Sequence, residues 1–230
     1  MPLKGVLFDL DGTLIDFQID YQQCRKQTIE VLVESGYPPN FLNMNSFVLK
    51  MVQDASNYFI SKLGYSPQRV FEIRKKIDSL VAQEELKAAQ KAHLIPGMQT
   101  VLEFLNSKEI KIGIITLNTT ENAKISLQNA KIIQYFERDS IIVGRDRTDR
   151  LKPDPSHASE FLRIFNLKPS EVCIIGDHPS DIETANHLNA RSIAVISEKH
   201  PKEEFDTPFY IYQSKPIPKL LNILKDFIEN

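Results

Sequence analysis

Two acidic residues near the N-terminus stand two positions apart, directly after a short apolar run. The run leads into Asp9, and Asp11 follows with Gly12 behind it. Side chains two apart along an extended backbone share a face, so one carboxylate could act as a nucleophile and the other as a general acid and base. Asp-Gly is also ordinary turn chemistry, and the motif by itself favours a turn or a helix cap.

Three further polar motifs follow apolar runs or lie in polar loops. Thr116 ends an apolar run, and its hydroxyl with the amides that follow could bind a phosphate oxygen. Lys152 lies in a polar loop, where its charge could balance carboxylates and a phosphate. Asp177 and Asp181 share another loop, and paired carboxylates suit a hard cation such as Mg²⁺. Taken singly, Thr116 fits a helix cap, Lys152 fits a solvated loop lysine, and Asp181 fits a second helix cap.

The elements that must position these residues alternate between two patterns. Short runs rich in Ile and Val, without strict alternation, predict strands buried on both faces, as in a parallel sheet. They cover residues 4–9, 111–116, 140–144, 171–176 and 191–196. Helical patterns between them cover residues 98–108, 121–129, 155–165 and 180–188, and a strand at 209–212 and a helix at 217–228 close the chain. Strands alternating with helices predict a doubly wound, Rossmann-like α/β sheet.

One region breaks this alternation. Residues 19–93 contain no strand pattern, and amphipathic helices fit residues 21–36, 44–63 and 67–90 instead. We therefore predict a small all-helical domain inserted after the first strand, with hinges at 15–19 and 93–97. The α/β core would comprise residues 1–18 and 94–230. In such sheets ligands bind beyond the carboxyl ends of the strands, which is where the polar motifs fall.

Composition excludes several classes of protein. The chain has 230 residues and a formal net charge of -2, so no basic excess indicates nucleic-acid binding. No segment approaches the roughly 20 apolar residues that span a bilayer. Cys24 and Cys173 are a distant pair, which favours a reducing compartment over a disulfide framework. We expect a cytoplasmic protein that binds neither nucleic acid nor membrane.

The four motifs together, in this order and at strand ends, resemble the haloacid dehalogenase superfamily of aspartyl-phosphate hydrolases, of phosphoglycolate phosphatase-like type. The similarity spans residues 3–18 and 94–200, and residues 19–93 occupy the place of the family's helical cap, which determines substrate specificity. The resemblance implies a Mg²⁺-dependent phosphatase. Its substrate would be a small phosphorylated metabolite such as phosphoglycolate, a sugar phosphate or a nucleotide, and the protein would be a monomer or a homodimer.

The resemblance also implies a role for each motif residue. Asp9 would be the nucleophile that forms an aspartyl-phosphate, and Asp11 the general acid and base. Asp9, the backbone carbonyl of Asp11 and Asp177 would hold Mg²⁺, with Asp181 behind them orienting a water or Lys152. The phosphoryl oxygens would be bound by the remaining motif positions, namely Thr116, Lys152 and backbone amides near Gly12 and Leu117.

Two positions depart from the pattern of many relatives. Leu117 stands between Thr116 and Asn118, where an Asn often follows the Thr directly, and this leaves the role of Asn118 open. Asn189 stands where many relatives have Gly, and we expect it to adopt the left-handed backbone that Asn tolerates at a helix end.

Other activities on the same fold stay open as alternatives. A phosphomutase usually has Glu before the fourth-motif Asp, where this chain has Gly176. A dehalogenase or a phosphonate-cleaving enzyme would not need Asp11. A binding or regulatory protein on the same fold is the non-enzymatic alternative.

Overall fold

The computed structural model describes residues 1–136 and 140–230. The strands are β1 (Gly5–Phe8), β2 (Ile15–Asp16), β3 (His93–Leu94), β4 (Lys111–Ile115), β5 (Ser140–Val143), β6 (Val172–Gly176), β7 (Arg191–Ile196) and β8 (Tyr210–Tyr212). The α-helices are α1 (Tyr21–Glu34), α2 (Val48–Ser61), α3 (Pro67–Lys91), α4 (Met98–Ser107), α5 (Thr120–Asn129), α6 (Ser156–Phe165), α7 (Pro179–Leu188) and α8 (Lys219–Glu229). None of the helices in these two ranges is both long and apolar enough to cross a bilayer.

The main sheet has six strands in the order β5-β4-β1-β6-β7-β8, and every neighbouring pair is parallel. Phe8 at the end of β1 lies opposite Ile114 in β4 and Ile175 in β6. The three central strands therefore end at the same edge of the sheet. The predicted doubly wound α/β architecture is confirmed.

Both faces of the sheet are buried, which explains the unbroken apolar runs in the sequence. Val6 and Phe8 pack in a core cluster with residues of α4, α5 and α8, whereas Leu7 between them packs in a second cluster with residues of α6 and α7. Phe161 of α6 lies so close to the sheet that a Cβ added to Gly113 would come within 2.7 Å of its ring. The sheet is thus clamped between helices, and this fixes the positions of its strand ends.

The chain divides into two compact units, Met1–Phe17 with Ala89–Asn230 and Gln18–Ala88. The second unit is helical and contains α1, α2 and most of α3. Its core includes Tyr37 and Phe59, whose ring centroids lie 6.0 Å apart in an edge-on arrangement. The boundary in the structure falls at residue 88, inside α3, where the sequence predicted 93.

Two local predictions can be compared with the backbone. The segments proposed as hinges are partly ordered in a ribbon, because Ile15–Asp16 pairs antiparallel with His93–Leu94. That pairing lies within the α/β unit and was missed, since two-residue strands leave no periodic signal. Asn189, which ends α7, has φ 57° and ψ 36°, so the predicted left-handed conformation is confirmed.

Candidate active site

The sequence motifs meet at the carboxyl edge of the sheet. Asp9 follows β1, Thr116 follows β4 and Asp177 follows β6, and these three strands are neighbours. The Asp9 N–H donates to the carbonyl of Ile175 at 2.8 Å, which extends the ladder by one residue to Asp9 itself. The sheet therefore determines where the Asp9 carboxylate lies.

Lys152 joins the first and fourth motifs. Its Nζ lies 2.6 Å from Asp9 Oδ1 and 2.6 Å from Asp181 Oδ1, and it also donates to the Ile115 carbonyl at 3.3 Å. The side chain of Lys152 is only 2% exposed. Burial alone would lower its pKa, but the charges of Asp181 and Asp9 more than offset this, so its pKa lies above the ordinary value. Lys152 is a buried, permanently charged cation.

Three carboxylates surround this cation. Asp9, Asp177 and Asp181 each offer an oxygen within 4.8 Å of the other two. Burial, and then the neighbouring charges of Asp9 and Asp181, raise the pKa of Asp177 to about 8. Burial likewise raises the pKa of Asp181 to about 6, although Lys152 opposes the rise. One lysine cannot neutralise three close carboxylates, and a buried group of oxygen ligands with excess negative charge fits a divalent metal ion.

Asp11 lies in the turn after β1 and has an unsatisfied atom. Its Oδ1 is buried and accepts no hydrogen bond from the described part of the chain. Burial and the nearby Asp9 charge raise its pKa to about 7, while Lys152, Asn118 and Thr116 oppose the rise. A carboxyl with this pKa can both donate and accept a proton near neutral pH, as a general acid and base must.

Gly12 lies closer to Asp177 than any other residue type would allow. Its φ is +84°, and an added Cβ would overlap the Asp177 carboxylate. Thr13 Oγ1 donates to Asp177 Oδ1 at 3.3 Å from the same turn. The sequence placed the Gly12 amide among the phosphate donors, but this N–H donates to the Ile15 carbonyl at 2.8 Å. The Gly12 N–H is therefore used within the turn, and the prediction that amides near Gly12 bind phosphate falls in this conformation on its neighbours.

Other amides at this edge are available. Within residues 1–136 and 140–230, the N–H groups of Leu10, Asp11 and Leu117 donate no hydrogen bond. Thr116 is fully buried, and its Oγ1 accepts from the Asn118 N–H at 3.0 Å. The free amides and the Thr116 hydroxyl lie after two adjacent strands, which is an arrangement that can bind phosphoryl oxygens.

Two residues that the sequence left without a role support the site. Asn118 is buried beside Asp11, and its Oδ1 accepts from the Thr119 N–H at 2.9 Å. His157 is fully buried, with Nε2 at 3.0 Å from the Val143 carbonyl and Nδ1 accepting from the Lys152 N–H at 3.3 Å. Burial lowers the pKa of His157, so the neutral ring fixes the lysine loop. No spacing in the sequence signals either contact.

His178 begins the helix that carries Asp181. Its Nδ1 accepts from the Ser180 N–H at 3.2 Å, and its own N–H donates to Asp181 Oδ2 at 3.1 Å. These reciprocal contacts cap α7 and leave Asp181 Oδ1 directed at Lys152. The residue after Asp177 therefore has a structural role as a cap.

The sequence model of a family described as haloacid dehalogenase-like hydrolase matches residues 6–195 of the chain. The chain belongs to this family. The matched range contains all of the motif residues above, and the prediction of a hydrolase of this class is confirmed.

Relatives of this haloacid dehalogenase-like hydrolase include named phosphatases. A glyceraldehyde 3-phosphate phosphatase from Pyrococcus furiosus is 25% identical over 97% of this chain and 93% of its own length. Pyrophosphatase PpaX from Bacillus cereus is 26% identical over 85% of this chain and 84% of its own. A structure described as a predicted phosphoglycolate phosphatase from Haemophilus somnus shares the fold, with a TM-score of 0.66, 17% identity and coverage of 96% and 97%.

Proposed function

We propose that this hydrolase cleaves small phosphomonoesters through an aspartyl-phosphate on Asp9, with Mg²⁺ as its cofactor. The observation that carries the proposal is the buried lysine shared by Asp9 and Asp181, with Asp177 within ligand distance of both. Such a group has too much negative charge to be stable alone, and it supplies both a nucleophile and a cation site. The named activity of the glyceraldehyde 3-phosphate phosphatase supports phosphomonoesters as the substrate class, whereas pyrophosphatase PpaX is named for a phosphoanhydride.

The first half-reaction would use Asp9 and Asp11 in turn. An Asp9 carboxylate oxygen forms a bond to phosphorus while the bond from phosphorus to the leaving oxygen breaks. Asp11, protonated at the start because its pKa is raised to about 7, donates its proton to that oxygen. The free amides of Leu10, Asp11 and Leu117, together with Lys152, would hold the phosphoryl oxygens as charge develops on them.

The second half-reaction reverses the role of Asp11. As a carboxylate it takes a proton from water, whose oxygen attacks phosphorus as the bond to Asp9 breaks and phosphate leaves. Asp9, Asp177 and the Asp11 backbone carbonyl would hold Mg²⁺, which would supply positive charge to offset the charge that develops on the phosphoryl oxygens. Asp181 would position Lys152 through their contact of 2.6 Å. Asp11 thus returns to its protonated state, and the cycle balances.

Transfer to a second substrate is the main enzymatic alternative, and Gly176 opposes it. An added Cβ at this position would overlap the Asp181 carboxylate. The glutamate that phosphomutases usually carry there would displace Asp181 from Lys152. A binding protein without catalytic activity would need neither the unsatisfied Asp11 nor the buried lysine. Water is therefore the acceptor that we propose.

The helical unit Gln18–Ala88 is the part of the chain that we propose selects the ester. A screen at fixed Mg²⁺ should include phosphoglycolate, glyceraldehyde 3-phosphate, pyrophosphate, sugar phosphates and nucleotides. We expect one class of substrate to exceed the others in kcat/KM, and no phosphate release when EDTA replaces Mg²⁺.

The mechanism is tested by Asp9→Asn, with Asp149→Asn as the matched control because Asp149 is an exposed loop carboxylate. We expect Asp9→Asn to abolish phosphate release and acid-stable labelling of the protein by substrate phosphorus, with unchanged circular dichroism. Phosphatase activity retained in Asp9→Asn would disprove the nucleophile. A folded wild-type protein inactive on every substrate would favour the binding alternative.

A further inference from the structure

The side chain of Gln213 contacts the turn that carries Asp11. Its Nε2 donates to the Gly12 carbonyl at 2.6 Å, across 201 positions of the chain. Gln213 directly follows the edge strand β8, and Gly12 directly follows Asp11. This hydrogen bond therefore links the far edge of the sheet to the residue next to the proposed acid.

Backbone hydrogen bonds hold the turn together, but none of those in the described chain reaches the Gly12 carbonyl. Gly12 N–H donates to Ile15, and the N–H groups of Leu14 and Ile15 donate to the Leu10 carbonyl at 3.0 and 3.1 Å. These bonds define the curve of the turn but leave the Gly12 carbonyl free. Gln213 supplies the donor, and so it fixes the orientation of the peptide that follows Gly12.

Gln213 is itself held firmly enough to act as an anchor. Its backbone N–H donates to the carbonyl of Ile196, the last residue of β7, at 2.9 Å. In the sheet, β6 and β7 separate β8 from β1. Gly12 lies against Asp177, which follows β6, and the long Gln213 side chain spans the distance from β8 to Gly12.

We propose that Gln213 is a positioning residue that holds the turn so that the Asp11 carboxyl is directed at the leaving oxygen of the substrate. The inference rests on the proposed function, because it needs Asp11 to be the acid. Asp11 Oδ1 accepts no hydrogen bond in the described chain, so its own carboxyl contacts do not fix this oxygen. Asn118 and Thr116 contact the other side of the Asp11 carboxyl, and the backbone next to Asp11, which Gln213 helps to hold, sets the direction in which this carboxyl points.

This role predicts a dependence on the leaving group. Proton transfer from Asp11 matters most when the departing oxygen is strongly basic, and least when it leaves readily as an anion. Phenyl phosphate and p-nitrophenyl phosphate have nearly the same shape, but p-nitrophenol is the stronger acid. A misplaced Asp11 should therefore impair hydrolysis of phenyl phosphate more. A general loosening of the structure would impair both substrates equally.

The test compares wild type with Gln213→Met, which keeps the length of the side chain but has no donor. Ser214→Ala, at an exposed neighbouring position, is the matched control. We expect kcat/KM of Gln213→Met to fall about tenfold on phenyl phosphate and less than about threefold on p-nitrophenyl phosphate, as the loss of one hydrogen bond in a transition state allows. Ser214→Ala should match wild type on both substrates.

A second variant guards against a folding defect in the first. Gln213→Glu places a carboxylate against the Gly12 carbonyl and should show the same substrate pattern more strongly. Equal losses on the two substrates, or no loss in either variant, would overturn the inference while the activity of wild type stands. If wild type itself releases no phosphate from either ester with Mg²⁺, the proposed function fails, and the inference fails with it.

Discussion

Replacement of Lys152 by Met removes the cation that the three carboxylates share while keeping most of the volume of the side chain. Lys152 Nζ has contacts of 2.6 Å with both Asp9 and Asp181, and the side chain is 2% exposed. We expect Lys152→Met to be folded but strongly destabilised in the absence of Mg²⁺. Its phosphatase activity should fall by more than about 100-fold, because the variant lacks the proposed donor to the phosphoryl group.

The size of the effect follows from the geometry. A unit charge pair at this separation is worth about 6 kcal/mol at an effective dielectric constant of 20. Desolvation of buried ions costs several kcal/mol for each, which offsets most of the attraction. Removal of one partner nevertheless leaves the other charges buried and uncompensated, and this typically costs about 3–5 kcal/mol. For a chain of this length we expect a decrease in Tm of about 10 °C.

The assay is urea unfolding of wild type and Lys152→Met in EDTA at pH 8 and at pH 5.5. Without the lysine the carboxylates repel one another, so the pKa values of Asp177 and Asp181 should rise further. Protonation at the lower pH then relieves the repulsion, and the destabilisation should shrink. An Asp181→Asn background should reduce the cost of Lys152→Met by about 2 kcal/mol. A cost below about 1 kcal/mol, or one that is independent of pH, would refute the electrostatic account.

Three further predictions concern the turn, the lysine loop and the metal. Gly12→Ala should lower activity at least about 100-fold and destabilise the protein by about 2 kcal/mol in urea unfolding, because φ +84° and the Asp177 carboxylate both oppose a Cβ; wild-type activity would contradict this. His157→Gln should lower the free energy of unfolding by about 1–2 kcal/mol at pH 7.5 and by less at pH 5. The pKa of His157 in the folded protein lies below its ordinary value, so the stability that His157 contributes is lost as pH falls. A destabilisation that grows on acidification would contradict this prediction. Metal-free protein should lose stability as pH rises toward the raised pKa of Asp177, about 8. Saturating Mg²⁺ should restore about 3 kcal/mol of the free energy of unfolding at pH 8 but less at pH 5.5. Equal restoration at both pH values in thermal unfolding would exclude these carboxylates as the ligands.

The sheet could be predicted because each strand is marked by the residues of its own short segment. Runs of Ile and Val without alternation are stable only when both faces are covered, and the two core clusters on either side of β1 show that covering. The ends of such runs are marked by polar residues, so Asp9, Thr116 and Asp177 could be assigned to one edge before the strand order was known. The ribbon of β2 and β3 could not, since each of its strands has two residues.

The site was predictable only where its residues lie in motifs. Lys152 was a weak candidate until the family resemblance supported it, because a lysine in a polar loop has no local signature. The role of Asn118 was left open, and His157 and Gln213 were missed because each acts through a contact that no short-range pattern encodes. His157 reaches Val143 across 14 positions, and Gln213 reaches Gly12 across 201. Such contacts depend on the topology and the register of the sheet. The sequence pattern predicts the topology but not the register.

The charges at the strand ends connect substrate binding to metal binding. With Asp11 protonated and Asp177 deprotonated, as metal binding requires, the carboxylates of Asp9, Asp177 and Asp181 carry two negative charges in excess of the charge of Lys152. Without a metal, the pKa of Asp177, raised to about 8, leaves a proton on Asp177 near neutral pH. A phosphomonoester brings about two further negative charges near neutral pH. One divalent cation would cancel this excess negative charge, and the field at the free amides of Leu10 and Leu117 would then favour the phosphoryl group. Substrate should therefore bind far more weakly to the metal-free enzyme, so that its apparent KM falls as Mg²⁺ rises toward saturation.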